Sequence, residues 1–134
     1  MKKKMSIIIM SFVICLTMAL PVDAASNYFT GSTGTMNSLF GNPSASWNIS
    51  SGSVPSNATV SSVKVNVNVS PGSDSFYLYV KHPSGYSATR LVGSTSLSFT
   101  EFNGLDPYGT WQVYIVTTGT VSTATARMTV DYTY

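Results

Sequence analysis

Hydrophobic and polar positions alternate along most of this chain with a period of two. The clearest stretch runs from Ser62 to Pro83. Val63, Val65, Val67 and Val69 fall on one face there, with Lys64, Asn66 and Asn68 on the other. After Pro71-Gly72, Phe76, Leu78 and Val80 share a face opposed by Tyr77, Tyr79 and Lys81. Successive side chains of a strand point to opposite faces, so this pattern predicts two half-buried antiparallel strands around a type II turn. Proline sets φ in that turn and glycine accepts positive φ. The same period predicts strands at Ala58–Val69, Phe76–His82, Ser87–Val92, Ser96–Phe102, Thr110–Thr117 and Ala124–Tyr134, with shorter ones near Asn27–Thr30 and Ala45–Ser50.

About eight strands punctuated by Gly, Pro, Asn and Asp turns, with no helical period among them, predict an all-β fold: an antiparallel β-sandwich of jelly-roll type. The sandwich domain is placed at residues 47–134. Residues 25–46 read either as a flexible arm or as a first strand with a loop tucked onto the sandwich. Tyr28, Phe29, Met36, Leu39 and Phe40 favour the second, because water is a poor environment for five large apolar groups.

The first 24 residues read differently. Lys2, Lys3 and Lys4 precede an apolar run from Ile7 to Leu20, and Pro21 and Val22-Asp23-Ala24 follow it. This is the pattern of a secretory signal peptide cut after Ala24, which predicts a secreted, extracellular protein of a bacterial exporter. A membrane anchor is the competing reading, but the run is short against the ~20 residues a spanning helix needs. The single cysteine, Cys15, lies inside the run behind Ile14, where a lipoprotein would carry a small residue. The chain after the cut has no cysteine and must stand on its core rather than on disulfides.

Charge narrows the partners. The net +2 comes from the leader. Beyond it, Lys64, Lys81, Arg90 and Arg127 balance Asp74, Glu101, Asp106 and Asp131. With no basic stripe, a nucleic-acid partner is not expected. Polarity comes from Ser, Thr and Asn, which suits an extracellular glycan, a protein partner or self-association through exposed strand edges.

Candidate chemistry is sparse. His82 is the only histidine, and no Gly-x-Ser-x-Gly turn is present. The expectation is therefore no enzyme, with His82 a half-exposed polar cap at a strand end. Without a His/Cys cluster, zinc and copper are not expected. Calcium is the one possible metal, through the loop carboxylates Asp74, Glu101 and Asp106, although these residue types more often stabilise turns. The remaining candidates are aromatic. Tyr77 and Tyr79 oppose Phe76, Leu78 and Val80, and Tyr114 opposes Trp111, Val113 and Ile115. If the two strands share a sheet, three tyrosines form one outer platform for sugar rings or apolar peptide groups. The ordinary alternative is cross-strand packing.

Residues from about Val54 to Tyr132 resemble the P domain of proprotein convertases and kexin-like proteases. The resemblance rests on the alternating Val63–Val69 strand with Asp74 after its turn, and on Phe76–Gly85 ending in Pro-Ser-Gly. It rests also on Phe102-Asn103-Gly104 followed by Gly109-Thr110-Trp111 and Val113–Val116, and on a final strand at Thr125–Tyr132. Two departures stand out: Thr117 and Thr118 occupy the place of an acidic residue, and Met128 that of a tryptophan. The resemblance implies a jelly-roll sandwich, occasional calcium binding, and bracing of a subtilisin-like protease. With no catalytic domain in the sequence, that bracing would act in trans.

Overall fold

The computed structural model describes residues 23–134. The expected leader, apart from residues 23 and 24, lies outside the described residues. The described chain forms nine strands: β1 (Ser26–Ser32), β2 (Met36–Leu39), β3 (Trp47–Ser50), β4 (Thr59–Val69), β5 (Phe76–Lys81), β6 (Ser87–Leu91), β7 (Ser96–Phe99), β8 (Thr110–Thr117) and β9 (Val121–Thr133). One sheet has the order β1-β9-β4-β7, with β2 also on β9, and the other has the order β3-β8-β5-β6. Every pairing is antiparallel.

The pairings nest. β1 meets β9, β3 meets β8, β4 meets β7 and β5 meets β6. The chain is therefore one long ribbon, folded back on itself at β5/β6 and rolled until β9 reaches β4 and β8 reaches β5. This is the jelly roll, an all-β sandwich of two antiparallel layers. β1 and β2 together occupy the place of a single edge strand, broken between Ser32 and Met36. Residues 25–46 thus supply one edge of the first sheet.

The alternation explains the core. Val63, Val65 and Val67 of β4 face Phe76, Leu78 and Val80 of β5 and Trp111, Val113 and Ile115 of β8, all buried. Met128, Val130 and Tyr132 complete the inner face of β9. Each such side chain contributes roughly 1.5–3 kcal/mol by leaving water. Val69 departs from the pattern: at the last position of β4 it is 41% exposed.

The Pro71-Gly72 turn forms as expected, with Gly72 at φ 80° and Ser73 N donating to Ser70 O at 3.3 Å. Its destination differs from a hairpin return. β4 lies in one sheet and β5 in the other, so the turn carries the chain across the sandwich. β5 finds its partners far away in sequence, in β8, and nearby in β6.

Much of the Ser/Thr content works inside the fold. Where the broken edge leaves gaps, hydroxyls stand in for missing carbonyls. Thr33 Oγ1 accepts from Ala126 N at 2.8 Å, Ser44 Oγ from Ile115 N at 3.0 Å, and Ser38 Oγ from Thr117 N at 2.7 Å. Among the described residues, no buried side-chain polar atom lacks a partner. Ser38→Ala removes the acceptor of the Thr117 amide and the donor to Asn42 O. An unsatisfied buried amide costs about 1–3 kcal/mol, so urea denaturation is expected to show a loss in that range. A loss below about 0.5 kcal/mol, the scale of an ordinary surface substitution, would refute this role for the hydroxyl.

Candidate functional site

The outward face of the second sheet brings the three candidate tyrosines together. β5 and β8 are neighbours, and Tyr79 stands directly opposite Tyr114. Their rings stack with centroids 4.8 Å apart and planes within 5°. Tyr77 is one step along the same face, between Val116 of β8 and Leu91 of β6. The next row in the other direction is polar: Lys81 lies opposite both Gln112 and Ser87, and Gln112 Nε2 donates to Asn48 Oδ1 at 3.1 Å. The face therefore grades from an aromatic and aliphatic end to an amide-rich end. Lys81 is the charge within its rows.

Each tyrosine has a distinct exposure. Tyr77 is exposed, and Tyr79 and Tyr114 are half-buried against each other. Burial, with a smaller contribution from Tyr79, raises the Tyr114 pKa above the usual phenol value. Tyr114 therefore stays a neutral hydroxyl, able to donate as well as accept. A stacked ring pair beside Tyr77 and Leu91 gives this face an apolar patch that also carries phenol hydroxyls. Such a surface is suited to a ligand that is apolar on one face and polar at its edge. Leu91 and Val116 were not singled out by sequence. Their membership depends on β6 and β8 flanking β5, which no local pattern encodes.

The carboxylates are dispersed. Asp74 lies at the end of the sandwich where β4 finishes, while Glu101 and Asp106 lie in the β7–β8 loop near its start, where Gly104 N donates to Val60 O. β4 has eleven residues, so the two ends are about 30 Å apart. Each carboxylate has its own work. Asp74 Oδ2 accepts from Thr120 N at 2.6 Å and Val121 N at 3.1 Å, and these backbone bonds hold its pKa below the ordinary value. Gly119 makes room for it, since a Cβ there would come within 2.5 Å of Oδ2. Glu101 pairs with Arg90 at 2.6 Å, which lowers its pKa. Asp106 Oδ1 accepts from Tyr108 N at 2.9 Å. No group of three or more potential metal ligands occurs among the described residues.

His82 corrects the expectation of a half-exposed cap, for it is buried at 5% exposure. Nδ1 accepts from Ser84 N at 3.0 Å, so the proton sits on Nε2, which donates to Asp106 O at 2.7 Å. Ser84 Oγ lies 2.8 Å from the same Nδ1. That lone pair already holds a backbone amide, and the ring packs edge-on to Trp111 at 4.8 Å. The imidazole serves as a brace for the β7–β8 loop.

A second concave feature went unnoticed in the sequence. Ser32, Thr33, Asn66, Asn68, Thr125 and Arg127, together with Val67 and Ala126, line a shallow groove of mixed polarity on the first sheet. Alternation predicted the polar face of β4. The groove itself arises from the break between β1 and β2.

No family model matches the chain, and no curated protein sequence matches it. Among solved structures, the Desmodium yellow mottle tymovirus structure aligns at a TM-score of 0.31 with 12% identity, over 87% of this chain and 92% of that one. The crystal structure of FlhE aligns at a TM-score of 0.57 with 12% identity, over 84% of this chain and 100% of FlhE. At that identity the likeness to FlhE is one of fold, and this chain shares with it a β-sandwich architecture.

Proposed function

We propose that the protein is a secreted, non-enzymatic binding module whose tyrosine face takes a cell-wall or matrix glycan. The observation that carries this reading is the outward row of Tyr77 beside the stacked Tyr79–Tyr114 pair, on a sheet face with a single cation, Lys81, in its central rows. A sugar ring has apolar C–H faces and a polar rim. The exposed Tyr77 ring and the outer parts of the stacked pair offer apolar surface to the first, while the phenol hydroxyls and the neighbouring Gln112 and Asn48 amides meet the second. The low charge suits an uncharged ligand. A protein partner presenting an apolar segment fits the same surface and is the second occupant, which includes a protease braced in trans.

The test is retention on peptidoglycan and neutral polysaccharide resins. Wild type is expected to be retained. The Tyr77→Ser, Tyr79→Ser, Tyr114→Ser variant is expected to elute with the void, while circular dichroism still reports a folded sheet protein. Undiminished retention of the triple variant would discard the tyrosine face. Retention lost instead in Arg127→Ser would move the ligand to the groove on the opposite sheet.

A further inference from the structure

The two flanks of the sandwich are guarded differently. On one flank lie the edge strands β6 and β7, and there Arg90 of β6 pairs with Glu101 just past β7 and covers the Phe99 ring at 4.8 Å. Charge at an edge is the usual defence against unwanted strand pairing. The other flank is built from β1, β2 and β3, which occupy the remaining edges of the two sheets. From Ala24 to Val63 the sequence contains no Asp, Glu, Lys or Arg. That run includes all three strands. It also exposes Tyr28, Leu39, Phe40 and Trp47, and the charges beside it belong to β9: Asp131 opposite Tyr28, and Arg127, whose Nε donates to Thr30 Oγ1 at 3.1 Å.

The backbone of β1 shows what this flank is shaped to meet. Ala25 and Tyr134 exchange both of their backbone hydrogen bonds, and Thr33 N donates to Ala126 O. Antiparallel ladders alternate, so residues 27, 29 and 31 also bond toward β9. Ser26, Tyr28, Thr30 and Ser32 then direct their amides and carbonyls outward. Among the described residues, no strand pairs with that edge. One amide, that of Tyr28, is capped by the adjacent Asn27 side chain at 2.8 Å on the exposed surface. β1 has seven residues and no proline or bulge along its pairing.

We infer that β1 pairs antiparallel with β1 of a second copy of this chain, joining the two first sheets across a two-fold axis near Phe29. The strand is its own complement about that axis. Tyr28 meets Thr30 of the partner copy, Ser26 meets Ser32, and every outward amide finds an outward carbonyl. Side chains keep their faces, so Tyr28 stays outside, while Phe29 meets its own counterpart at the inner edge. β1 itself carries no charge, and the two charges behind it on β9, Asp131 and Arg127, are of opposite sign, so the edge has little repulsion to overcome against itself. The tyrosine face lies on the other sheet, and dimerisation leaves it open on both copies.

Sedimentation equilibrium on residues 25–134, which carry all nine strands, tests this. Mass is expected to rise to twice that of one chain between micromolar and millimolar concentration. Tyr28→Pro removes only an outward amide, leaving the β9-facing amides of residues 27, 29 and 31 in place, and is expected to halve the mass to that of a monomer. Tyr28→Lys places a charge on the same edge and is expected to do likewise, with both variants still folded by circular dichroism. Ser98→Lys on β7 is expected to leave the dimer intact. A wild type that stays monomeric throughout, or a Tyr28→Pro dimer of undiminished mass, would overturn the inference. So would a dimer lost on Ser98→Lys but kept in both Tyr28 variants.

Discussion

A chain that ends at Arg127 is expected not to fold. The seven residues removed, Met128 to Tyr134, form the half of β9 that pairs with β1 from Ser26 to Gly31 on one side and with β4 from Thr59 to Val65 on the other. Among the described residues, no other strand bridges those two. Their loss leaves β1 paired with β9 only at its last residue, Ser32, and opens the start of β4. It also removes Met128, Val130 and Tyr132, all buried, from between the layers. Truncating a single large core residue costs about 2–5 kcal/mol, and three such losses are comparable to the ~5–15 kcal/mol that holds a domain of this size together. Far-ultraviolet circular dichroism of the truncated protein is expected to lack the sheet signal, and heating is expected to give no cooperative transition. Removing Tyr134 alone, which is 40% exposed, is expected to leave a folded protein. A soluble fragment ending at Arg127 that melts cooperatively would contradict the placement of β9 as the strand that closes the roll.

That strand was readable in the sequence, and so were its partners' faces. Val63 to Val67, Phe76 to Val80, Trp111 to Ile115 and Ala126 to Tyr132 alternate cleanly, and burial follows the alternation in the structure. β2 was not readable, for a physical reason. Its inward residues are Met36 and Ser38, and Ser38 is fully buried yet polar. A hydroxyl that replaces a missing carbonyl looks like a surface residue to any reading based on hydrophobicity. The same holds for Ser44 and Thr33, while the buried Ser122 hydroxyl donates to Asp74 O at 2.7 Å, so a composition that reads as solvent-facing is partly internal wiring. The Pro71-Gly72 turn shows a different boundary. Its two central residues specify a local backbone shape, but the layer that β5 joins is decided by its pairing with β8, some thirty-five residues on.

The candidate site divides along the same line. That Tyr77, Tyr79 and Tyr114 face outward follows from period two. That Tyr79 stacks on Tyr114, with Leu91 and Val116 at the margin, follows from register, which depends on contacts remote in sequence. The three carboxylates share a residue class but not a location, since loops at opposite ends of a sandwich cannot converge. His82 follows Lys81 at the end of β5, where a polar side chain would ordinarily reach water. The β7–β8 loop covers it instead, and nothing local to His82 announces that cover.

That cover leads to the second large effect, at Trp111. The indole is fully buried, and its Nε1 donates to Pro107 O at 3.0 Å, while His82 Nε2 donates to the preceding carbonyl, Asp106 O. Two ring N–H groups, from β5's end and from β8, thus hold consecutive carbonyls of one loop. Phe102 from that loop packs edge-on to Trp111 at 5.2 Å, and Phe29 from β1 does so at 6.3 Å. Trp111→Ala is expected to lower the unfolding free energy by about 3–5 kcal/mol, through the cavity and the freed Pro107 carbonyl together. Trp111→Phe keeps an aromatic ring and loses the donor, and is expected to lose about 1–3 kcal/mol. Combining each with His82→Ala separates packing from loop anchoring. Because both donors hold the same loop, the double variant is expected to fall short of the summed single losses by about 0.5–3 kcal/mol in urea denaturation followed by circular dichroism. Strict additivity would mean that the two rings act on the loop independently, and that its docking depends on Phe102 rather than on the paired N–H donors.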